Sequence, residues 1–150
     1  MAFNNHEIAY QNVVSKYYRF APADIDAAIQ DFHKILEEGG YEITGNLFYS
    51  MLSDPRDEEI MEAEIFLPII EGEYTPQEDE KVSFNSYFNI KPMVMTRVLD
   101  DFEQQAQVKY WEVIHYIKQN GLVQTTPVFV EFKTSNKGDH YIEMSAGVQG

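Results

Sequence analysis

Ile60-Met61-Glu62-Ala63-Glu64-Ile65-Phe66-Leu67-Pro68-Ile69-Ile70 alternates with a period of two. Met61, Ala63, Ile65, Leu67 and Ile69 share one face, and Glu62, Glu64 and Phe66 the other. That is the pattern of a strand with one face on a core. Working back from it, Ser53-Asp54-Pro55-Arg56-Asp57 reads as a turn and residues 41–52 as a further strand. Earlier still, Ile25, Ile29, Phe32 and Leu36 recur at helical spacing, with Ala27, Gln30, Asp31 and Lys34 opposite. Pro22 suits the first helical position and Gly39-Gly40 the stop. Residues 12–20, rich in Val and Tyr, predict a strand ahead of this helix. The order is strand, helix, strand, strand.

The same order recurs over residues 93–148, displaced by about 81 positions, which makes the chain a tandem repeat. Ile25, Ile29, Phe32 and Leu36 fall on Ala106, Tyr110, Val113 and Ile117; Gly40 falls on Gly121, Phe48 on Phe129 and Glu62 on Glu143. Asp100 is expected to cap the second helix, with Glu103 in its first turn, and Asn120-Gly121 to end it. Residues 126–132 and 141–148 predict a hairpin across Ser135-Asn136-Lys137-Gly138. Between the repeats, residues 71–81 read as an acidic connector, and residues 82–90 alternate until Lys91-Pro92 interrupts them. The fold class is α+β: a largely antiparallel sheet with two helices packed on one face. Residues 1–11 read as a loose lead-in, and residues 12–150 as one domain of two pseudo-repeats, 12–70 and 93–148, joined by 71–92.

With the apolar set of each strand turned to the helices, the other face collects Phe48, Ser50, Glu62, Glu64 and Phe66 from the first half. The second half contributes Phe129, Glu131, Tyr141 and Glu143, and Tyr87 joins them by parity. Carboxylates interleaved with aromatic rings suit a flat organic cation, attracted by the ring quadrupole and neutralised by an acid. The candidate ligand-binding residues are therefore Phe48, Glu64, Phe66, Tyr87, Phe129, Glu131, Tyr141 and Glu143, with Glu131 as the charge partner. An ordinary solvated sheet face would carry the same pattern.

Composition narrows the function classes. The net charge of −14 opposes a nucleic-acid or anionic-membrane partner and favours a cationic ligand or a basic protein. The absence of cysteine removes disulfides, thiolate catalysis and Cys-based zinc sites. No secretory signal or membrane-length apolar run is read, so the expected compartment is the cytoplasm and the expected assembly a monomer or homodimer. Glu112 and His115 have di-iron spacing but lack the helices to complete such a site. His33 and Glu37 read as a helix-surface pair, His6 and His140 have no evident partners, and the acidic run 54–59 lacks EF-hand spacing. No phosphate loop or nucleophile elbow is present. The expectation is a non-catalytic protein with no cofactor and no metal; weak hydrolase activity in the cleft ranks last, because the carboxylates come without an organised nucleophile. On a helical wheel Trp111 lies off the core stripe beside Val108, a candidate protein contact.

Three stretches resemble the GyrI-like effector-binding domain of bacterial multidrug-responsive regulators and gyrase-inhibitor proteins. Glu62-Ala63-Glu64-Ile65-Phe66-Leu67-Pro68-Ile69 is similar to the strand closing the family's first half. Residues 110–121 resemble its second helix, and Pro127-Val128-Phe129-Val130-Glu131-Phe132 the strand after it. The resemblance implies a stand-alone small-molecule-binding domain, with Glu131 matching the acidic pocket residue of cation-binding members. Where many members carry His and then Gly before the second helix, this chain has Arg97 and Leu99, and Arg97 stands ready to neutralise part of the acidic face. Residues 12–20 and 45–50 also resemble an uncharacterised family of small Bacillus- and Listeria-type proteins, some encoded beside secreted LXG toxins. That resemblance implies an alternative: an acidic protein-interaction module, such as an accessory or immunity partner of a toxin.

Overall fold

The computed structural model describes residues 3–53, 60–77 and 80–150. Its elements are β1 (Phe3–Phe20), α1 (Ile25–Glu38), β2 (Phe48–Met51), β3 (Met61–Pro68), β4 (Ser83–Val98), α2 (Phe102–Gln119), β5 (Val123–Thr134) and β6 (His140–Gln149). The chain divides into two units, Ala9–Phe88 and Met1–Ile8 with Asn89–Gly150. Each builds an antiparallel sheet and carries one helix, so the α+β class holds.

In the Ala9–Phe88 unit, β3 pairs antiparallel with β1 on one side and β2 on the other. The register sets Val14 opposite Leu67 and Tyr18 opposite Ala63. Val14, Ile65 and Leu67 pack with Ala28, Phe32 and Leu36 of α1 into one buried core. The expected helix stripe thus meets the expected strand face. The Tyr18 hydroxyl donates to Asp31 of α1 at 2.7 Å, and burial followed by that bond pushes its pKa up. The face turned from α1 carries Phe48 opposite Phe66, and Ser15 and Tyr17 opposite Phe66 and Glu64.

In the other unit, β6 lies between β4 and β5. The Thr96 hydroxyl donates to Glu112 of α2 at 3.2 Å, which marks the helix side of β4. Thr96 stands opposite Met144, and Met144 opposite Val130, so Val128, Val130, Ile142, Met144 and Ala146 look toward α2 and its buried Val113 and Ile117. Alternation then sends Met93, Met95, Arg97, Phe129, Glu131, Lys133, Tyr141, Glu143 and Ser145 to the opposite face.

Both helices stop by the same chemistry. The Tyr41 N–H donates to the Leu36 carbonyl and the Leu122 N–H to that of Ile117, each across a glycine of positive φ, Gly40 at 82° and Gly121 at 68°. Glycine reaches that conformation without a Cβ penalty.

Several expected boundaries move. The lead-in is strand: β1 starts at Phe3 and passes through Asn5 and Asn12, both at positive φ, where Asn is better tolerated than most side chains. The strand expected over 41–52 shrinks to β2, preceded by a single bridge between Ile43 and Ile69. Gly45 passes so close to Pro68 that a Cβ there would lie 2.7 Å from the proline ring. Lys91-Pro92 does not split β4, because the β4–β6 ladder starts one residue later, at Met93. Helix α2 starts at Phe102 after Asp101 rather than Asp100, and Asp101 gives no side-chain cap because its backbone is left-handed, φ 52°. The acidic run 54–59 lies outside the described residues.

Candidate functional site

The face of β4–β6–β5 turned from α2 is not a solvated one. Met93, Phe129, Glu131, Glu143 and Ser145 are all buried on it. Glu131 and Glu143 stand directly opposite each other across β5 and β6. Like charges in that position repel, and burial removes the water that would screen them, so the pair needs cations. Strand geometry supplies two. Lys133 follows Glu131 by two residues and shares its face, and Arg97 stands opposite Glu143 on β4. A third group, His6, comes from β1.

Three groups share the four carboxylate oxygens, and His6 Nε2 reaches both acids, lying 4.0 Å from Glu143 Oε1. His6 Nε2 lies 3.2 Å from Glu131 Oε1. Arg97 Nε donates to Glu143 Oε2 at 2.8 Å, a bond that raises the guanidinium pKa further. Lys133 Nζ lies 3.5 Å from Glu131 Oε2 and 3.6 Å from Glu143 Oε1, bridging the two acids. Tyr141 lies under the Arg97 guanidinium, its ring centre 6.0 Å away. Outside this layer Arg97, Leu99, Ser135, Asp139, His140 and Tyr141 line a surface groove of about 550 Å³. Ser145 Oγ, on the same face, is fully buried and finds no hydrogen-bond partner among the described residues.

His6 Nε2 and one oxygen each of Glu131 and Glu143 lie within 4.8 Å of one another. An imidazole and two carboxylates are a donor set that zinc and similar ions accept. The Lys133 ammonium already stands against both carboxylates and supplies positive charge at that place.

The Ala9–Phe88 unit carries an acid among rings. Phe48 stacks on Phe66 with centres 4.7 Å apart and on Tyr10 at 5.2 Å, and Phe88 closes on both phenylalanines at 5.4 and 5.0 Å. The Ser15 hydroxyl donates to Glu64 at 2.7 Å. Glu64 in turn pushes the Tyr17 hydroxyl pKa up by its charge.

Of the sequence candidates, the structure brings Phe129, Glu131, Tyr141 and Glu143 onto one face, and Phe48, Glu64 and Phe66 onto another. It does not bring Tyr87 there: Phe88 takes the place against the rings, so its neighbour Tyr87 stands exposed. Strand alternation therefore turns Tyr87 to the opposite face from Phe88. Trp111 meets Tyr110 edge-on at 4.9 Å and stays partly exposed, with Val108 open to solvent. Glu112 bonds Thr96 and Lys109, and His140 Nδ1 lies 3.3 Å from the Thr134 hydroxyl. Sequence reasoning missed His6, Lys133 and Ser145.

The α+β fold of this chain is shared with solved structures. The crystal structure of the EcmrR C-terminal domain superposes with a TM-score of 0.73 at 14% identity, over 99% of this chain and 97% of that one. EcmrR in the cryo-EM structure of an EcmrR–DNA complex gives 0.70 at 15% identity, over 99% of this chain but 57% of EcmrR. By sequence the chain belongs to the family described as a domain of unknown function, DUF5085, whose model matches residues 9–150. No curated protein matches it significantly. No helix among the described residues is long and apolar enough to cross a membrane.

Proposed function

We propose that this chain is a non-catalytic small-molecule-binding domain for a cationic or amphipathic aromatic ligand. The observation that carries this reading is the buried pair Glu131 and Glu143, facing each other with Phe129 and Tyr141 on the same sheet face. Buried acids attract a cation, and adjacent rings add a stacking surface. The shared fold of the EcmrR C-terminal domain supports it, and through that fold the GyrI-like resemblance of residues 127–132. The strand, helix, strand, strand order within each unit supports a tandem repeat as the origin of the fold.

A thermal-shift screen tests the reading. Cationic aromatic compounds are expected to raise the unfolding midpoint by mass action, and neutral and anionic analogues to leave it unchanged. Glu131→Gln should abolish the shift. Equal shifts in wild type and variant would refute the mechanism.

A second reading, an acidic module for a basic protein partner, draws on one observation: Trp111, partly exposed beside Val108, borders a groove also lined by Ile114, His115 and Lys118. Trp111→Ala should then abolish co-purification with a basic neighbouring gene product, and an unchanged yield would exclude this face.

A further inference from the structure

We infer that the cation this site accepts is a primary alkylammonium, which displaces the ammonium of Lys133 from between Glu131 and Glu143. The inference rests on the ligand-binding reading above and goes further, because the protein already shows what the slot fits. Its two walls are Glu131 Oε2 and Glu143 Oε1, and Lys133 Nζ stands 3.5 and 3.6 Å from them. The other two oxygens are engaged elsewhere, Glu131 Oε1 by His6 and Glu143 Oε2 by Arg97. The occupant is therefore an –NH3⁺ group on an alkyl stem, held by one oxygen of each acid.

Lys133 can also leave. Its side chain is 26% exposed, against 14% for His6, the other group on Glu131. A four-carbon stem near the end of β5 lets the charge swing into water. Exchanging one ammonium for another keeps the buried charge balance unchanged. A divalent metal would add a charge beside Arg97 and His6, and an anion would meet two carboxylates. A quaternary ammonium carries no N–H for either oxygen, and its methyl groups need more room than the Lys133 nitrogen occupies. Ser145 provides a second, independent mark of a ligand: its buried hydroxyl lacks a partner among the described residues and lies on the same face, two residues along β6 from Glu143. A polar group further along the ligand would satisfy it.

Lys133 is thus a tethered competitor that sets both selectivity and affinity. The test is calorimetric titration of wild type, Lys133→Met and Lys133→Gln with phenethylammonium and with its N,N,N-trimethyl analogue, at fixed ionic strength. Phenethylammonium is expected to bind at least tenfold more tightly to Lys133→Met than to wild type, and at least tenfold more tightly than the trimethyl analogue to either. Lys133→Gln is expected to show a smaller gain in the same direction and decides the matter if the Met variant does not fold. No gain in affinity, or equal binding of the two compounds, would overturn the inference while leaving the ligand-binding reading intact. Silence of every protein toward both compounds would defeat both. A stoichiometric zinc isotherm, lost in Glu131→Gln and competing with phenethylammonium, would reassign the slot to a metal.

Discussion

Each unit sets an arginine opposite a glutamate across an antiparallel strand pair, Arg19 opposite Glu62 and Arg97 opposite Glu143. The first pair is 3.3 Å apart with both side chains in water, 72% and 48% exposed. The second is 2.8 Å apart and its glutamate is 4% exposed. The same cross-strand arrangement is a solvated contact in one place and part of a buried ion network in the other. What differs is the company. Glu143 faces a second acid and shares Lys133 with it, whereas the buried acid-bearing face of the Ala9–Phe88 unit is filled by Phe48, Phe66 and Phe88. One sheet face is closed with rings and the other with charge.

The comparison breaks most sharply at a ring. Phe48 is fully buried and contacts Tyr10, Phe66 and Phe88. Phe48→Ala should cost about 3–5 kcal/mol, the range for large cavities that neighbours only partly refill. Urea denaturation measures it; a loss under 1 kcal/mol would mean that the rings do not support that face.

The two arginines give the next effect. Arg97→Ala leaves Glu143 buried with one cation fewer and should cost about 2 kcal/mol, less than a fully enclosed pair because the guanidinium itself is half exposed. Arg19→Ala should fall within about 0.5 kcal/mol of wild type, since an exposed pair is screened and loses side-chain entropy. Equal losses in parallel denaturation curves would erase the distinction between the two units.

Much of this was legible in the chain, for reasons that also explain the rest. Period-two patterning in residues 61–69, 128–132 and 141–146 follows from strands with one face on a helix, and it carried Glu131, Glu143 and Phe129 to the correct face. Gly40 and Gly121 marked the helix ends because the backbone there needs positive φ. His6 was hidden because Asn5 and Asn12 interrupt the alternation of β1, and a residue beside such a break has no readable face. Lys133 is hidden because the expected strand ends at Phe132, two residues short of its observed end at Thr134, which leaves the lysine outside the alternation. Tyr87 was placed by parity alone, and the ring that reaches Phe48 and Phe66 is Phe88. Alternation gives faces; it does not say which face is buried twice, and that is where the ion network lies.

A further contrast separates two serines. Ser15 and Ser145 are both buried, each on the sheet face turned from the helix of its unit. Ser15 donates to a carboxylate at 2.7 Å, a charge-assisted bond. Its removal leaves Glu64 short of a donor, so Ser15→Ala should cost about 1.5–3 kcal/mol. Ser145 makes no such bond among the described residues. Its hydroxyl has lost water without a replacement, so Ser145→Ala should be neutral or should stabilise the protein by up to about 1 kcal/mol. Urea denaturation of both variants without added ligand makes the comparison. If Ser145→Ala is as destabilising as Ser15→Ala, the hydroxyl has a partner in solution, and the second mark of a ligand on the Glu131–Glu143 face is withdrawn.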